Sequence, residues 1–171
     1  MGNLPPDGGV LTQDIVSFGF SFLILIGVWN RYTATTSVMP VETPGMIRLN
    51  MALLFLVAIE PFLFDVLSKG LSTDAGATAS VYYGFDIGLM NVILAYFTHL
   101  LASEEKGLIP KELMHHYKLI RNFLLVASGL FLVSTLPVFE ALSLAGEPIR
   151  VYLWFLSLPI LWAPRVFSYA T

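Results

Sequence analysis

Long apolar segments, each bounded by charged or helix-breaking residues, dominate the hydrophobic pattern of this chain. The most apolar of them is Asn50–Asp65, NMALLFLVAIEPFLFD, which is hydrophobic on all sides rather than along one stripe. A helix with that pattern is buried in a protein core or in a membrane. With its flanks, Arg48 and Lys69, the segment can cross the roughly 30 Å hydrocarbon core of a bilayer. We therefore expect the other helices to pack around this segment.

The same pattern places five spans along the chain. It predicts transmembrane helices over residues 15–30, 47–68, 78–102, 120–140 and 150–168. The apolar part of the fifth, Val151–Pro164, is short, so Arg150 and Arg165 at its ends are expected to extend toward the membrane surface. Pro110 suits the first turn of a helix, which predicts a cytoplasmic linker helix over 110–119 that lies on the membrane or continues into the fourth span. No repeat is visible, so residues 1–171 are expected to form one domain.

Composition agrees with a membrane location. The 171 residues are 56% hydrophobic and only 12% charged, and the mean hydropathy is +0.76. These values indicate an all-α integral membrane protein that crosses the cell membrane several times, with the lipid bilayer as its surroundings. The net charge of −3 is small and dispersed, which argues against nucleic-acid binding. The absence of cysteine excludes disulfides and thiolate metal sites.

The distribution of basic residues predicts the orientation of the spans. Loops rich in Lys and Arg stay in the cytoplasm. Seven basic residues fall on one side of the predicted membrane and two on the other. The seven are Arg31, Arg48, Lys106, Lys111, Lys118, Arg121 and Arg165, and the two are Lys69 and Arg150. The N-terminus is therefore predicted outside and the C-terminus in the cytoplasm.

No arrangement of residues typical of a catalytic centre stands out, so we expect neither an enzyme nor a bound cofactor. His115 and His116 are neighbours, and on a helix they diverge by about 100°, which does not favour a shared metal. Glu60 and Asp86 are the stronger candidates. At ~1.5 Å per residue, both lie roughly 12–14 Å inside the outer helix ends, on spans that run in opposite directions.

Acids at that depth are functional hypotheses because a buried charge is costly. Close together, Glu60 and Asp86 would share a proton or hold a cation. The alternative is that each is neutral, or is capped by Tyr82, Tyr83 or a backbone carbonyl released near Pro61. The residues alone leave both possibilities open.

Three segments together resemble a known family. They are SFLILIGVW at Ser21–Trp29, RLNMALLF at Arg48–Phe55 with Pro61-Phe62 after it, and YGFD at Tyr83–Asp86. They look like the second, third and fourth helices of the six-helix repeat in the transmembrane protein 175 family of potassium channels, especially its single-repeat prokaryotic members. The resemblance implies that the five spans match helices two to six. It also implies that Trp29 and Asn50 belong to a polar network that braces the first helix.

The chain departs from that family at its start. The family's first helix carries an Arg-x-x-x-Phe-Ser-Asp motif and lines the pore, and no such segment is present. Tyr32 stands where a histidine is expected, and Pro61–Phe64 reads PFLF rather than Pro-Phe-Pro-Thr. The resemblance therefore implies either a homotetramer or a hetero-oligomer in which another polypeptide supplies the pore helix.

Three functions follow as expectations. The first is a subunit of a potassium-permeable channel, with potassium or another monovalent cation as the permeant ion. The second is a proton- or cation-coupled carrier that uses Glu60 and Asp86, because carriers place such sites near the midplane beside interrupted helices. The third is a membrane interaction protein that conducts no ions.

Overall fold

Helices make up nearly all of the structure, a computed structural model that describes residues 8–39, 43–68, 73–144 and 147–168. Within these residues the chain forms α1 (Gly8–Thr36), α2 (Pro44–Ser68), α3 (Asp74–Leu101), α4 (Lys111–Ser134), the short α5 (Val138–Ala141), β1 (Ser143–Leu144), β2 (Glu147–Pro148) and α6 (Ile149–Ser168). The two short strands pair antiparallel. The helical class predicted from the sequence is confirmed. In the described part, α2, α3 and α4 are long and apolar enough to cross a membrane.

Several helix boundaries differ from the predicted ones. The first helix extends beyond the predicted 15–30 at both ends. The predicted linker helix over 110–119 is the beginning of α4, so the continuous alternative is the one observed. The fourth span was predicted to reach residue 140, which is wrong, because α4 ends at Ser134. Pro137 lies three residues further on, and proline cannot donate to an α-helical ladder.

The central helix of the bundle is α3, which packs against α1, α2 and α4. In the most apolar window of α3, 67% of the residues are buried, against 11% in α2. The expectation that the others pack around Asn50–Asp65 is therefore wrong. Glycines explain the difference, because α4 approaches α3 closely where α3 has no side chain. A Cβ added at Gly84 would lie 2.8 Å from Thr135 Cγ2, and one at Gly88 would lie 2.7 Å from Leu132 Cδ2.

Successive long helices alternate in direction. Antiparallel packing of α3 and α4 brings Leu101 at the end of α3 next to Met114 near the start of α4. Met39, just after α1, packs against the same cluster. Arg31 of α1 donates a 3.0 Å hydrogen bond to the carbonyl oxygen of Leu161 in α6, so α1 and α6 run the same way. Together these contacts make α1, α3 and α6 parallel to one another, with α2 and α4 opposed.

The opposite end of the bundle holds a buried arginine. Arg150, at the start of α6, is only 1% exposed. It donates hydrogen bonds to Ser80 of α3 and to Glu140 Oε2 of α5, the latter at 3.0 Å. The expectation that Arg150 extends toward a membrane surface is wrong, because α5 and α3 supply acceptors inside the bundle. Lys69 and the side chain of Arg165 lie outside the described residues.

Candidate functional site

Glu60 is placed on the inner side of α2, directly before the proline of that helix. The helix continues through Pro61 to Ser68. Pro61 has no backbone N–H, so it cannot donate to the carbonyl of Val57 one turn earlier. The side chain of Glu60 is 1% exposed. It accepts a hydrogen bond at Oε1 from the hydroxyl of Ser21 in α1.

Asp86 approaches Glu60 from α3. Its side chain is 4% exposed. The two carboxyls are close enough to interact electrostatically, so the structure brings together the two acids selected from the sequence. Tyr83 lies three residues before Asp86, a spacing that places both on one helix face. Its fully buried side chain lies near Glu60 and Ser21.

Aromatic contacts fix the position of Tyr83. Its ring centroid lies 6.1 Å from that of Phe64 in α2 and 5.1 Å from that of Trp154 in α6. Trp154 in turn donates a 2.9 Å hydrogen bond from Nε1 to Ser134 Oγ at the end of α4. Four helices therefore hold the tyrosine beside the two acids.

Most of the polar oxygens at this site make no hydrogen bond. Within the described part of the chain, Glu60 Oε2, both carboxyl oxygens of Asp86 and the hydroxyl of Tyr83 are buried without a hydrogen-bond partner. A buried polar group with no partner costs roughly 1–3 kcal/mol, and an ionised one costs more. The arrangement therefore suits a bound proton or cation, since either would be shared by oxygens from two helices.

A cavity of about 490 Å³ adjoins Glu60 between α1 and α2. Its volume is within the range of small-molecule sites, roughly 300–1,000 Å³. Apolar side chains form most of its wall, and Ser21, Glu60 and Asp65 supply the polar part. The lining residues are Phe18, Ser21, Phe22, Leu25, Glu60, Pro61, Phe64 and Asp65.

The two residues carried over from the channel family lie apart from the acids. Trp29 is 57% exposed, and its ring contacts Tyr32 at a centroid distance of 5.8 Å. Asn50 is half-buried, and its Oδ1 has no hydrogen-bond partner in the described part of the protein. Their role in bracing a further helix stays a prediction.

Sequence reasoning missed Ser21 as a partner of Glu60. The two residues are separated by 39 positions, and the pattern of α1 alone does not indicate which face meets α2. It also missed the aromatic wall of the cavity. Phe18 and Phe22 are one helical turn apart, a spacing that places them on one face and was the available signal.

Comparison of the chain with protein-family models, with curated proteins and with solved structures finds no match. The resemblance to the channel family therefore rests on the three segments quoted above, and the site itself is the basis for assigning a function.

Proposed function

We propose that this protein is a multi-pass membrane protein that exchanges a proton for a small monovalent cation at Glu60 and Asp86, as a coupled carrier does. The observation behind this proposal is the pair of acids buried on facing helices, with three of their four oxygens lacking hydrogen-bond partners in the described structure. Coupling follows from electrostatics. The pair is neutralised either by protons or by a cation, and one displaces the other.

The distribution of side chains supports a membrane location. The outer surfaces of the long helices are apolar, with exposed residues such as Phe55 and Phe62 on α2. The buried set, by contrast, includes polar residues such as Asp86, Asn91 and Thr98 on α3. Water would disfavour so large an exposed apolar surface, whereas hydrocarbon surroundings favour apolar groups outside and paired polar groups inside.

Pro61 supports the carrier over a rigid binding site. A proline inside a helix removes one hydrogen bond of the ladder and is a common position for bending. Here it lies next to the acid and lines the cavity. Carriers place their ion sites beside such interrupted helices. Bending at Pro61 would move Glu60 relative to Asp86 and so change access to the pair.

Proton release on cation binding tests the proposal. Purified protein in weakly buffered detergent solution receives a pulse of NaCl or KCl, and a pH-sensitive dye reports released protons. We expect release from the wild type and none from Glu60→Gln or Asp86→Asn. Glu105→Gln, in the exposed loop after α3, is the matched control and should behave as the wild type.

The neighbouring ionisable side chains are Tyr83 of α3 and Asp65 of α2. Tyr83→Phe and Asp65→Asn therefore accompany the acid variants, and release should persist in both. Release that is unchanged in Glu60→Gln and Asp86→Asn, with both variants folded, would overturn the proposal.

The variant Glu60→Leu separates the effect on folding from the effect on function. It strands the hydroxyl of Ser21, so it should cost roughly 1–3 kcal/mol of stability, whereas Gln keeps that hydrogen bond.

Orientation in the cell membrane is part of the same proposal. We place the N-terminus outside and the C-terminus in the cytoplasm. Single cysteines at Asp74 and Lys111 lie at opposite ends of the bundle, at the starts of α3 and α4. An impermeant thiol reagent applied to intact cells should label position 74 and not 111. The reverse pattern would contradict this orientation.

A second candidate is a subunit of a potassium-permeable channel, as the family resemblance implies. The observation that favours it is the alternating direction of α1, α2, α3, α4 and α6, which is the order expected for helices two to six of the family repeat. The chain by itself is expected to give no potassium-driven flux in liposomes. Robust potassium-selective flux from this chain alone would favour a pore built differently from the family's.

A further inference from the structure

We propose that the cavity between α1 and α2 binds a lipophilic organic cation, with the positive group against Glu60 and the apolar body between Phe18, Phe22 and Phe64. The inference rests on Glu60 as the proposed cation-binding residue, and it adds a second class of ligand to the sodium and potassium of that proposal. It concerns the cavity that Glu60 lines together with residues of α1 and α2.

The polar part of the cavity selects for positive charge. Its two ionisable residues are both acids, Glu60 and Asp65, and no Lys, Arg or His is among the residues that line it in the described structure. One oxygen of Glu60 is occupied by the hydroxyl of Ser21. The other, Oε2, is buried and has no hydrogen-bond partner in the described part, so a positive group placed against Glu60 would give it the partner that it lacks.

The apolar part selects for an organic body. Phe18 and Phe22 lie on successive turns of α1 with nearly parallel rings, 6.1 Å between centroids and 13° between planes. Phe64 faces them from α2. Aromatic faces attract cations through their quadrupole, most strongly when water is excluded. At about 490 Å³ the cavity is far larger than a bare alkali ion requires, and a ligand with aromatic or aliphatic groups would fill it.

Access is from the outer surface of the bundle. Phe18 and Phe22 are both more than half exposed on α1, and Pro61 is exposed on α2. In the proposed membrane this surface meets hydrocarbon, so the ligand would enter from the bilayer. A lipophilic cation partitions there, whereas a hydrated inorganic ion does not.

Direct binding of radiolabelled tetraphenylphosphonium to the detergent-purified full chain tests the inference. This probe carries a fixed positive charge and four aromatic groups. We expect saturable binding, and tetraphenylborate, which has the same shape and a negative charge, should not compete. Glu60→Gln should weaken binding by about tenfold or more, and Phe22→Leu by about threefold.

Matched controls are available for both variants. Glu105→Gln makes the same change in an exposed loop, and Phe62→Leu makes it on an exposed part of α2 outside the cavity lining. Both should bind as the wild type does. Equal competition by tetraphenylborate, or an unchanged affinity in Glu60→Gln, would overturn the inference. Should Glu60→Gln fail to fold, the comparison of Phe22→Leu with Phe62→Leu decides, because equal affinities in that pair would also overturn it.

The two proposals fail in distinguishable ways. Proton release by sodium or potassium without any tetraphenylphosphonium binding would refute the organic ligand and leave the inorganic exchange intact. Saturable, Glu60-dependent tetraphenylphosphonium binding without proton release by sodium or potassium would refute the inorganic exchange and keep the cavity as a binding site.

Discussion

The burial of helices α2 and α3 is the reverse of what their hydrophobicity would predict. The more apolar of the two is α2, yet 11% of its most apolar window is buried, against 67% in α3. The buried surface of α3 carries Gly84, Gly88, Asp86 and Asn91. The outward surface of α2 carries Phe55 and Phe62, among other large apolar residues.

This contrast shows that apolarity does not identify the core of this bundle. In water, exposed apolar surface is disfavoured, and the most hydrophobic helix would be the most buried. Where the surroundings are themselves hydrocarbon, that driving force is absent, and close packing of small residues with interhelical hydrogen bonds decides which helix is central. Both kinds of contact join α3 and α4. The helices approach closely at Gly84, and Ser128 Oγ donates a 3.0 Å hydrogen bond to the carbonyl oxygen of Gly88.

The largest expected effect comes from truncating a phenylalanine to alanine in α3, compared with the same change in α2. Phe97 of α3 is fully buried, whereas Phe62 of α2 is exposed. Phe97→Ala should cost about 3–5 kcal/mol because it opens a cavity in the core. Phe62→Ala should stay within about 0.5 kcal/mol. Unfolding in detergent followed by circular dichroism measures both. A loss at Phe62 as large as that at Phe97 would show that a partner covers α2.

A smaller effect is expected from adding one methyl group at the contact of α3 and α4. In Gly84→Ala the new Cβ would lie 2.8 Å from Thr135 Cγ2 and 3.2 Å from the carbonyl oxygen of Phe131. We expect a loss of about 1–3 kcal/mol, since a backbone atom cannot move aside cheaply.

Gly129→Ala on α4 is the matched control for that substitution. An added Cβ there meets nothing within 4 Å, and alanine is the better helix former by up to about 1 kcal/mol. This variant should be as stable as the wild type or more so. If Gly129→Ala were less stable than Gly84→Ala in the same unfolding assay, the close approach of α3 and α4 would be contradicted.

The smallest effect is expected just beyond α3, where the chain is exposed. Lys118 Nζ lies 3.0 Å from Glu104 Oε1, and its hydrogen bond and positive charge lower the pKa of Glu104. A carboxyl with a lowered pKa in the folded state favours folding above its unfolded pKa, and that contribution is lost as the pH falls through the folded pKa. Lys118→Ala should raise the pKa of Glu104 toward its ordinary value.

Carbon-detected NMR titration of the Glu104 carboxyl measures that shift. The melting temperature should hardly change, since exposed ion pairs contribute little to stability. Glu105→Gln is again the control and should leave the pKa of Glu104 lowered. An unchanged pKa in Lys118→Ala would show that the ion pair does not form in solution.

Much of the fold was predictable from the sequence, because local physical chemistry determines it. Long apolar segments form helices, and this part of the prediction is confirmed, whereas the end of α4 before Pro137 was missed. The proximity of Glu60 and Asp86 was also predictable. A fixed rise per residue and opposed helix directions bring two such positions to the same level of a helix pair without knowledge of which faces meet.

Only the tertiary structure decided which surfaces face each other. Burial of Arg150 depends on Ser80 and Glu140, which come from two other helices. The hydrogen bond of Ser21 to Glu60 likewise depends on the rotation of α1 against α2. Such rotations follow from the fit of side chains across several helices at once, and a hydrophobic pattern that is nearly uniform around each helix carries little information about them. The sequence therefore determined the helices and the level of the two acids along them, while packing determined the central helix, the partners of each charge and the cavity.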